Sequence, residues 1–287
     1  MKYITFIFIF LVGCSLPSQE IHPLEKVSSH YKTLQKLDGT AQLDFVDLDK
    51  ISFPTDGLNP GKQFIGIEPS YLMDEQIVQL QSFVHFPANS SKQTKAELDY
   101  LLELEKERTS ELESRVMELA RIGYWPPLDK NSPDLGRNVE HLFFEYNEIT
   151  NQNVKSSDYL KTRNLLAGVT RDMRIIEFTV KYHLLRARPY HLEPRLNAMA
   201  EMSSPSFASG HTLWAYIHAF TWSELLPELR KDFLNIAFEI GHSREIMGIH
   251  YPSDEEAARI LAHQMLVFMN ENPTFKKDLK AAKEEWR

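Results

Sequence analysis

Three short blocks in the second half of the sequence decide the fold that we predict: KYHLLRARP at 181–189, SFASGHT at 206–212 and SREIMGIHYPSD at 243–254. Each block adjoins a segment in which apolar residues recur with helical spacing. Each block alone is weak or moderate evidence for a site. The set is much stronger than its parts, because it combines cations, histidines and a helix N-terminus.

The first block supplies two cations. Lys181 and Arg188 are seven residues apart, about two helical turns, so both are predicted to point from one face of a helix. Two cations on one face, away from any carboxylate of their own segment, suit an anion. Arg186 is interpreted as part of the solvated face that charged helix ends usually form.

The second block indicates the start of an apolar helix. Ser209 fits the N-cap position, and Gly210 lets the backbone come close to a ligand. The first N–H groups of a helix and its dipole favour a bound phosphate. His211 would lie at the edge of that anion site, although the block taken alone favours a capping or surface histidine.

The third block pairs a histidine with a carboxylate and adds Arg244 as a third cation. Asp254 follows His250 by four residues and lies in the first turn of a helix, where a carboxylate is favoured. A hydrogen bond from the imidazole to Asp254 would fix the tautomer and orient the other ring nitrogen. Nucleophilic and basic histidines are held in this way.

From about residue 71 the spacing of apolar residues predicts helices. Because strand signals are nearly absent, the sequence predicts an all-α protein with one helical domain over 71–287. The predicted helices are 95–122, with one apolar stripe; 135–149; a long helix capped by Ser157 or Asp158 that ends near Pro189; 212–226; and three that begin at Pro227, Pro252 and Pro273.

The first residues resemble the signal of a bacterial lipoprotein. The apolar run at 4–12 is too short to span a bilayer as a mature helix. The sequence LVGC at 11–14 resembles a lipobox, which predicts a signal peptide over 1–13 and lipid on Cys14. Cys14 is the single cysteine of the chain, so no internal disulfide is expected.

A lipid on Cys14 predicts attachment to the periplasmic side of a bacterial membrane. Ser15, with no aspartate at that position, favours the outer membrane under the common sorting rule. Residues 14–70, punctuated by proline and glycine, are predicted to form a tether and an irregular N-terminal extension. No later stretch is long and apolar enough to be a transmembrane helix.

The composition limits the partners and cofactors that are expected. With 32 Lys and Arg against 40 Asp and Glu, the net charge is −8, so general binding of nucleic acid through its phosphates is not expected. The sequence contains no His-Glu-x-x-His motif and no cluster of cysteines, so no metal site and no cofactor are predicted. Oligomeric state is left open, and a homo-oligomer is compatible with the sequence.

The order and spacing of the three blocks resemble the signature of the type 2 phosphatidic acid phosphatase superfamily. That group includes the bacterial class A non-specific acid phosphatases and the vanadium haloperoxidases. The resemblance is greatest to the class A enzymes and covers about residues 80 to 286. It implies the helical-bundle fold of this superfamily. One departure is Ala208, where the family usually has proline before Ser-Gly-His.

The resemblance implies a metal-independent acid phosphatase that hydrolyses phosphate monoesters. His250 would attack phosphorus and form a phosphohistidine, Asp254 would orient His250, and His211 would protonate the leaving oxygen and then activate water. The residues that would hold the phosphate oxygens are Lys181, Arg188, Ser209, Gly210 and Arg244.

Other functions remain open at this point. The same pocket would hold vanadate in a vanadium-dependent haloperoxidase, although those enzymes are generally larger. A membrane lipid phosphatase would need several transmembrane spans. A non-catalytic phosphate-binding lipoprotein would not need two histidines and an orienting aspartate. The natural substrate and the balance between hydrolysis and phosphotransfer are also open.

Overall fold

The computed structural model describes residues 31, 39, 47–56, 60–123, 126 and 139–287. The predicted signal peptide, Cys14 and most of the predicted tether lie outside the described residues, as does the start of the helix predicted at 135–149.

The described residues form helices and no strand, with one isolated bridge between Ser52 and Arg186. The all-α prediction is therefore confirmed. The α-helices in chain order are α1 (Asp74–Leu80), α2 (Lys92–Lys106), α3 (Ser110–Ala120), α4 (Phe144–Thr150), α5 (Leu160–Leu184), α6 (Pro189–Leu192), α7 (Gly210–Leu225), α8 (Arg230–Ile246), α9 (Pro252–Met269) and α10 (Pro273–Lys283). Short 3-10 helices include Val139–Phe143 before α4 and Pro227–Leu229 before α8.

Helix α7 is the centre of the bundle. All of its residues are buried except His211, Tyr216 and Glu224, so it is covered around most of its circumference, as expected for a core helix. Helices α5, α8 and α9 pack around it. This arrangement brings the N-terminus of α7 to the level where α5 ends and α9 begins.

The predicted helix over 95–122 is wrong, because the chain forms two helices there. Helix α2 ends at Lys106, and the Thr109 side chain caps α3 by accepting the N–H of Leu112 at 3.2 Å. A threonine that caps a new helix competes with continuation of the old one. The single apolar stripe is therefore shared between two helices.

The predicted cap of the long helix is also wrong. Helix α5 begins at Leu160, and neither Ser157 nor Asp158 caps it. The carboxylate of Glu285 accepts the N–H groups of Lys161 at 2.9 Å and Thr162 at 2.8 Å. A carboxylate at a helix N-terminus satisfies orphan donors and complements the dipole.

Part of the N-terminal extension packs on the helical domain. The N–H of Phe53 donates to the carbonyl of Leu185 at 2.8 Å. The Phe64 ring stacks on Phe178 of α5 with 5.8 Å between ring centroids. Residues 47–56 and 60–64 therefore lie along α5 and the segment that follows it.

Candidate active site

The three blocks meet where α5 ends, α7 begins and α9 begins. Helix α5 ends earlier than predicted, because Leu185 takes a left-handed conformation with φ 50° and its N–H returns to the carbonyl of Lys181. The prediction that Lys181 and Arg188 share one helix face is thus wrong. They nevertheless converge, since both donate to backbone carbonyls of the segment 204–206.

His250 is held on both ring nitrogens. Its Nδ1 lies 2.9 Å from Oδ2 of Asp254, and its Nε2 lies 3.0 Å from a guanidinium nitrogen of Arg188. The carboxylate only accepts and the guanidinium only donates, so Nδ1 carries the proton and Nε2 presents its lone pair. Burial, and then Arg188, lower the pKa of His250 well below its ordinary value, against the opposing effect of Asp254. The imidazole is therefore neutral and directed.

Asp254 is fully buried and has several donors. Besides His250, it accepts the Ser206 hydroxyl at 2.5 Å, the Tyr251 N–H at 3.1 Å and a guanidinium nitrogen of Arg186 at 2.7 Å. Burial alone raises the pKa of Asp254, but Arg186 and the hydrogen bond from His250 hold it well below its usual range. Asp254 is consequently a permanent carboxylate that can stabilise positive charge on the His250 ring.

Arg186 belongs to the site, and the prediction that it lies on a solvated helix end is wrong. In the structure it is about 1% exposed, and its guanidinium lies over the Tyr251 ring at 3.8 Å from the centroid. It also lies 3.4 Å from the buried carboxylate of Glu97. The pairing could not be read from the local pattern, because its partners come from α2 and α9.

Lys181 and Arg188 form the cationic side of the pocket. Lys181 donates to the carbonyls of Pro205 at 2.7 Å and Ser206 at 3.2 Å, and Arg188 donates to those of Ser204 and Ile249. Burial, and then the charge of Arg188, lower the pKa of Lys181 to about 7. Among the described residues no carboxylate is hydrogen-bonded to either cation, so the pair leaves a surplus of positive charge for an anion.

Ser209 caps α7 as predicted, with its side chain accepting the N–H of Thr212. Gly210 is the first residue of the helix, so its N–H is among those that no intrahelical carbonyl can satisfy. Behind this turn, the Thr212 hydroxyl donates to Glu255. Burial, and then the carboxylates of Glu245 and Asp254, raise the pKa of Glu255 well above its ordinary value.

His211 has a different environment from His250. Its Nε2 donates to the carbonyl of Ala120 at 3.1 Å, which leaves Nδ1 as the nitrogen that gains or loses a proton. Burial, followed by the charges of Arg244 and Arg174, lowers the pKa of His211 well below its ordinary value. In the absence of a bound anion, His211 is therefore neutral.

Arg244 lies beside His211, at the end of α8. Its guanidinium donates to the carbonyl of Val116 at 3.0 Å and to the Ser243 hydroxyl at 2.8 Å. Burial lowers the pKa of Arg244 to about 10, so it is still charged at neutral pH. All the residues predicted to act on phosphate are thus gathered around one position, with the two histidines on separate elements.

Two properties of the described residues concern metals and membranes. No group of three or more His, Cys, Asp or Glu side chains in this part of the chain is arranged to hold a metal ion. None of the helices described here is long and apolar enough to cross a membrane.

The family model of the PAP2 superfamily matches residues 164–275, a segment that contains every residue predicted to act on phosphate. The match confirms the predicted resemblance. The non-specific acid phosphatase of Providencia stuartii is 41% identical over 81 residues, which are 28% of this chain and 33% of that protein. The non-specific acid phosphatase of Salmonella typhimurium is 25% identical over 166 residues, or 56% of this chain and 66% of that protein.

The aligned regions span about a third and just under two thirds of the lengths of these two relatives. Among solved structures, a bacterial vanadium-dependent iodoperoxidase matches with a TM-score of 0.56 at 17% identity. That match covers 85% of this chain and 64% of the iodoperoxidase. It shows that the two proteins share a fold.

Proposed function

We propose that this protein is a metal-independent acid phosphatase that hydrolyses phosphate monoesters through a phosphohistidine intermediate. The observation that supports this most is the state of His250, whose Nδ1 proton is held by Asp254 while Nε2 faces Arg188 at 3.0 Å. A neutral imidazole with one directed lone pair is a nucleophile. The names of the two acid phosphatase relatives agree with it.

In the first step, the ester phosphate binds between Lys181, Arg188, Arg244 and the N-terminus of α7. Before substrate binds, the lone pair on Nε2 of His250 accepts a hydrogen bond from Arg188. A phosphate oxygen then accepts that hydrogen bond instead, which frees the lone pair. The Nε2–P bond then forms as the ester P–O bond breaks, and His211 gives its Nδ1 proton to the leaving oxygen. Asp254 stabilises the positive charge on the phosphorylated ring.

In the second step, His211 is neutral and accepts a proton from water. The water oxygen bonds to phosphorus as the P–Nε2 bond breaks, which restores neutral His250 and releases phosphate. His211 is again protonated and ready to act as an acid. The cations neutralise the phosphate oxygens throughout, and phosphoryl transfer needs mainly such positioning and charge stabilisation.

The pKa shifts of the two histidines favour activity on the acid side. His250 keeps its lone pair at mildly acid pH, because its pKa is lowered well below the ordinary value. His211 must be protonated, yet its pKa is lowered as well. A bound phosphate brings negative charge beside His211 and raises its pKa. The rate should therefore decline as rising pH removes the proton from His211.

The test is hydrolysis of an aryl phosphate by the purified full-length protein from about pH 4 to about pH 9, with EDTA and with or without vanadate. We expect turnover that resists EDTA, is fastest at mildly acid pH and is blocked by vanadate. A rapid quench should also trap phosphate on His250. No turnover from the folded protein would contradict the proposal. Oxidation of halide by peroxide after vanadate loading would then show that the protein is a haloperoxidase instead.

We also propose that Cys14 is lipidated and anchors the protein on the periplasmic face of the outer membrane. The support is the lipobox-like sequence at 11–14 and the absence of any other cysteine in the sequence. Mass spectrometry of the membrane fraction should find acyl chains on Cys14, and Cys14→Ser should release the protein from that fraction. Recovery of unmodified Cys14 from the membrane would contradict the anchor.

A further inference from the structure

Helix α5 carries a carboxylate into the neighbourhood of the phosphate pocket. Glu177 lies one helical turn before Lys181, so the two side chains point from the same face. Its carboxylate accepts a hydrogen bond from Arg174 at 2.6 Å, and both side chains are about 7% exposed. Arg174 and Glu177 lie outside the three sequence blocks, and Glu177 has no role in the proposed mechanism.

The Glu177 carboxylate lies directly against the first residue of α7. A Cβ atom at Gly210 would overlap it, so the missing side chain of Gly210 is what lets the carboxylate approach. The start of a helix favours an anion through its N–H groups and its dipole. In the resting site, one negative charge is therefore already placed beside the position that phosphate would use.

We propose that Glu177 is a specificity-determining residue that makes this pocket favour the monoanionic over the dianionic form of a phosphate monoester. The inference rests on the proposed function, because it concerns the same pocket. A phosphate ester carries its second charge above about pH 6. A fixed carboxylate repels the dianion more strongly than the monoanion, and in a partly buried site such repulsion is weakly screened.

Some of the other charged and titratable groups around Glu177 oppose its repulsion of the substrate, and others leave it unchanged. Arg174 compensates its charge, and Lys181 and Arg188 attract both the carboxylate and the substrate. Glu177 opposes the lowering of the pKa of Lys181, which burial and Arg188 cause. Burial raises the pKa of Tyr182 to about 12, so this neighbour stays neutral. Across the pocket, Arg174 is one cause of the lowered pKa of His211, after burial and Arg244.

These neighbours define two opposite outcomes for Glu177→Gln. If repulsion of the dianion dominates, the variant should bind the substrate more tightly above pH 6. If Glu177 acts mainly by keeping Lys181 protonated, the pKa of Lys181 should fall in the variant. Lys181 should then lose its charge at a lower pH than in the wild type, and the variant should bind the substrate more weakly above about pH 6. The direction of the change in KM above about pH 6 distinguishes the two.

The experiment measures kcat and KM for an aryl phosphate at about pH 5 and about pH 7.5 in the full-length protein, together with inhibition by inorganic phosphate. For Glu177→Gln we expect KM at the higher pH to fall on the order of tenfold, with less than about a threefold change at the lower pH. The inhibition constant of phosphate should follow KM. Glu177→Asp keeps the charge and should keep the pH dependence of the wild type.

The matched control is Glu256→Gln. Glu256 and Arg259 form another pair three residues apart on a helix, at 2.7 Å and with similarly buried side chains. This variant should leave the pH dependence of KM unchanged, which separates a specific effect from the loss of a buried ion pair. An unchanged or raised KM for Glu177→Gln at the higher pH would overturn the inference. Absence of turnover and phosphate binding in the wild type would instead overturn the proposed function.

Discussion

His250 and His211 face the same pocket from two regions of the bundle, and their surroundings differ in kind. His250, before α9, is bound by a carboxylate on one nitrogen and by a guanidinium on the other. His211, in the first turn of α7, donates to the single carbonyl of Ala120 and faces the charges of Arg244 and Arg174. One ring is fixed in orientation and the other is surrounded by cations.

This difference suits two chemical roles. Asp254 compensates any positive charge that develops on His250, so that ring can form a bond to phosphorus and leave again. No carboxylate is hydrogen-bonded to His211 in the described residues, so its charge depends on what occupies the pocket. A phosphate beside it supplies the missing negative charge, and the acid becomes protonated only when there is substrate to protonate.

The largest effect is expected from His250→Ala, which removes the proposed nucleophile. We expect kcat to fall by about 10⁴-fold or more, because the other imidazole of the site, His211, has no hydrogen-bonded carboxylate among the described residues to stabilise a phosphorylated ring. Inorganic phosphate should still bind, since Lys181, Arg188 and Arg244 remain. Circular dichroism should show a folded protein. Substantial turnover in this variant would assign the nucleophile to another residue.

The second largest effect is expected from His211→Ala, which removes the proposed acid. We expect kcat to fall by about 10²- to 10⁴-fold, as for other general acids. The loss should be smaller for an aryl phosphate whose leaving group needs no protonation. The decline of rate with rising pH should also flatten. His183→Ala, at an exposed position on α5, is the control, and an equal loss there would contradict the distinction between the two rings.

A smaller effect on rate, with a clear effect on stability, is expected from Arg186→Lys. Lysine cannot reach both Asp254 and Glu97 with a planar fork, so the buried carboxylates lose part of their compensation. We expect a decrease in kcat of about 10- to 100-fold with little change in KM, and a lower melting temperature. Arg195→Lys alters an exposed arginine that pairs with the buried carboxylate of Glu193 at 2.6 Å, away from Asp254 and Glu97, and should change neither quantity.

Arg186 also shows where the sequence is informative and where it is not. The eight residues predicted to act on phosphate lie in short motifs whose spacing along the chain is visible, and the structure gathers them in one pocket. Arg186 looks like any charge near a helix end, because Glu97 lies 89 positions earlier and Asp254 68 positions later. Long-range pairs leave no local periodicity, so propensity and spacing cannot reveal them.

The same limit applies to helix boundaries. Pro252 and Pro273 are the first residues of α9 and α10, and Pro227 begins the 3-10 helix that precedes α8. These starts can be predicted from the sequence, because proline acts locally through its fixed φ. The end of α5 depends on a left-handed Leu185, a conformation that leucine rarely adopts and that its sequence neighbours do not signal. Two tertiary hydrogen bonds accompany this turn, from the N–H of Phe53 to the carbonyl of Leu185 and from the N–H of Ser206 to the carbonyl of Arg186.

The smallest effect is expected far from both histidines, from Glu285→Ala. This carboxylate caps α5, whose other end carries Lys181, through the N–H groups of Lys161 and Thr162. Loss of a cap costs about 1 kcal/mol, which in a protein of this size lowers the melting temperature by about 2–4 °C. The exposed neighbour is the control, and Glu284→Ala should change the melting temperature little.

Because α5 is held along its length by α7 and α10, kcat of the Glu285→Ala variant should stay within about twofold of the wild type. A large loss of kcat would mean that the pocket depends on the position of the whole helix. The different surroundings of His250 and His211 would then depend partly on the cap at the far end of α5.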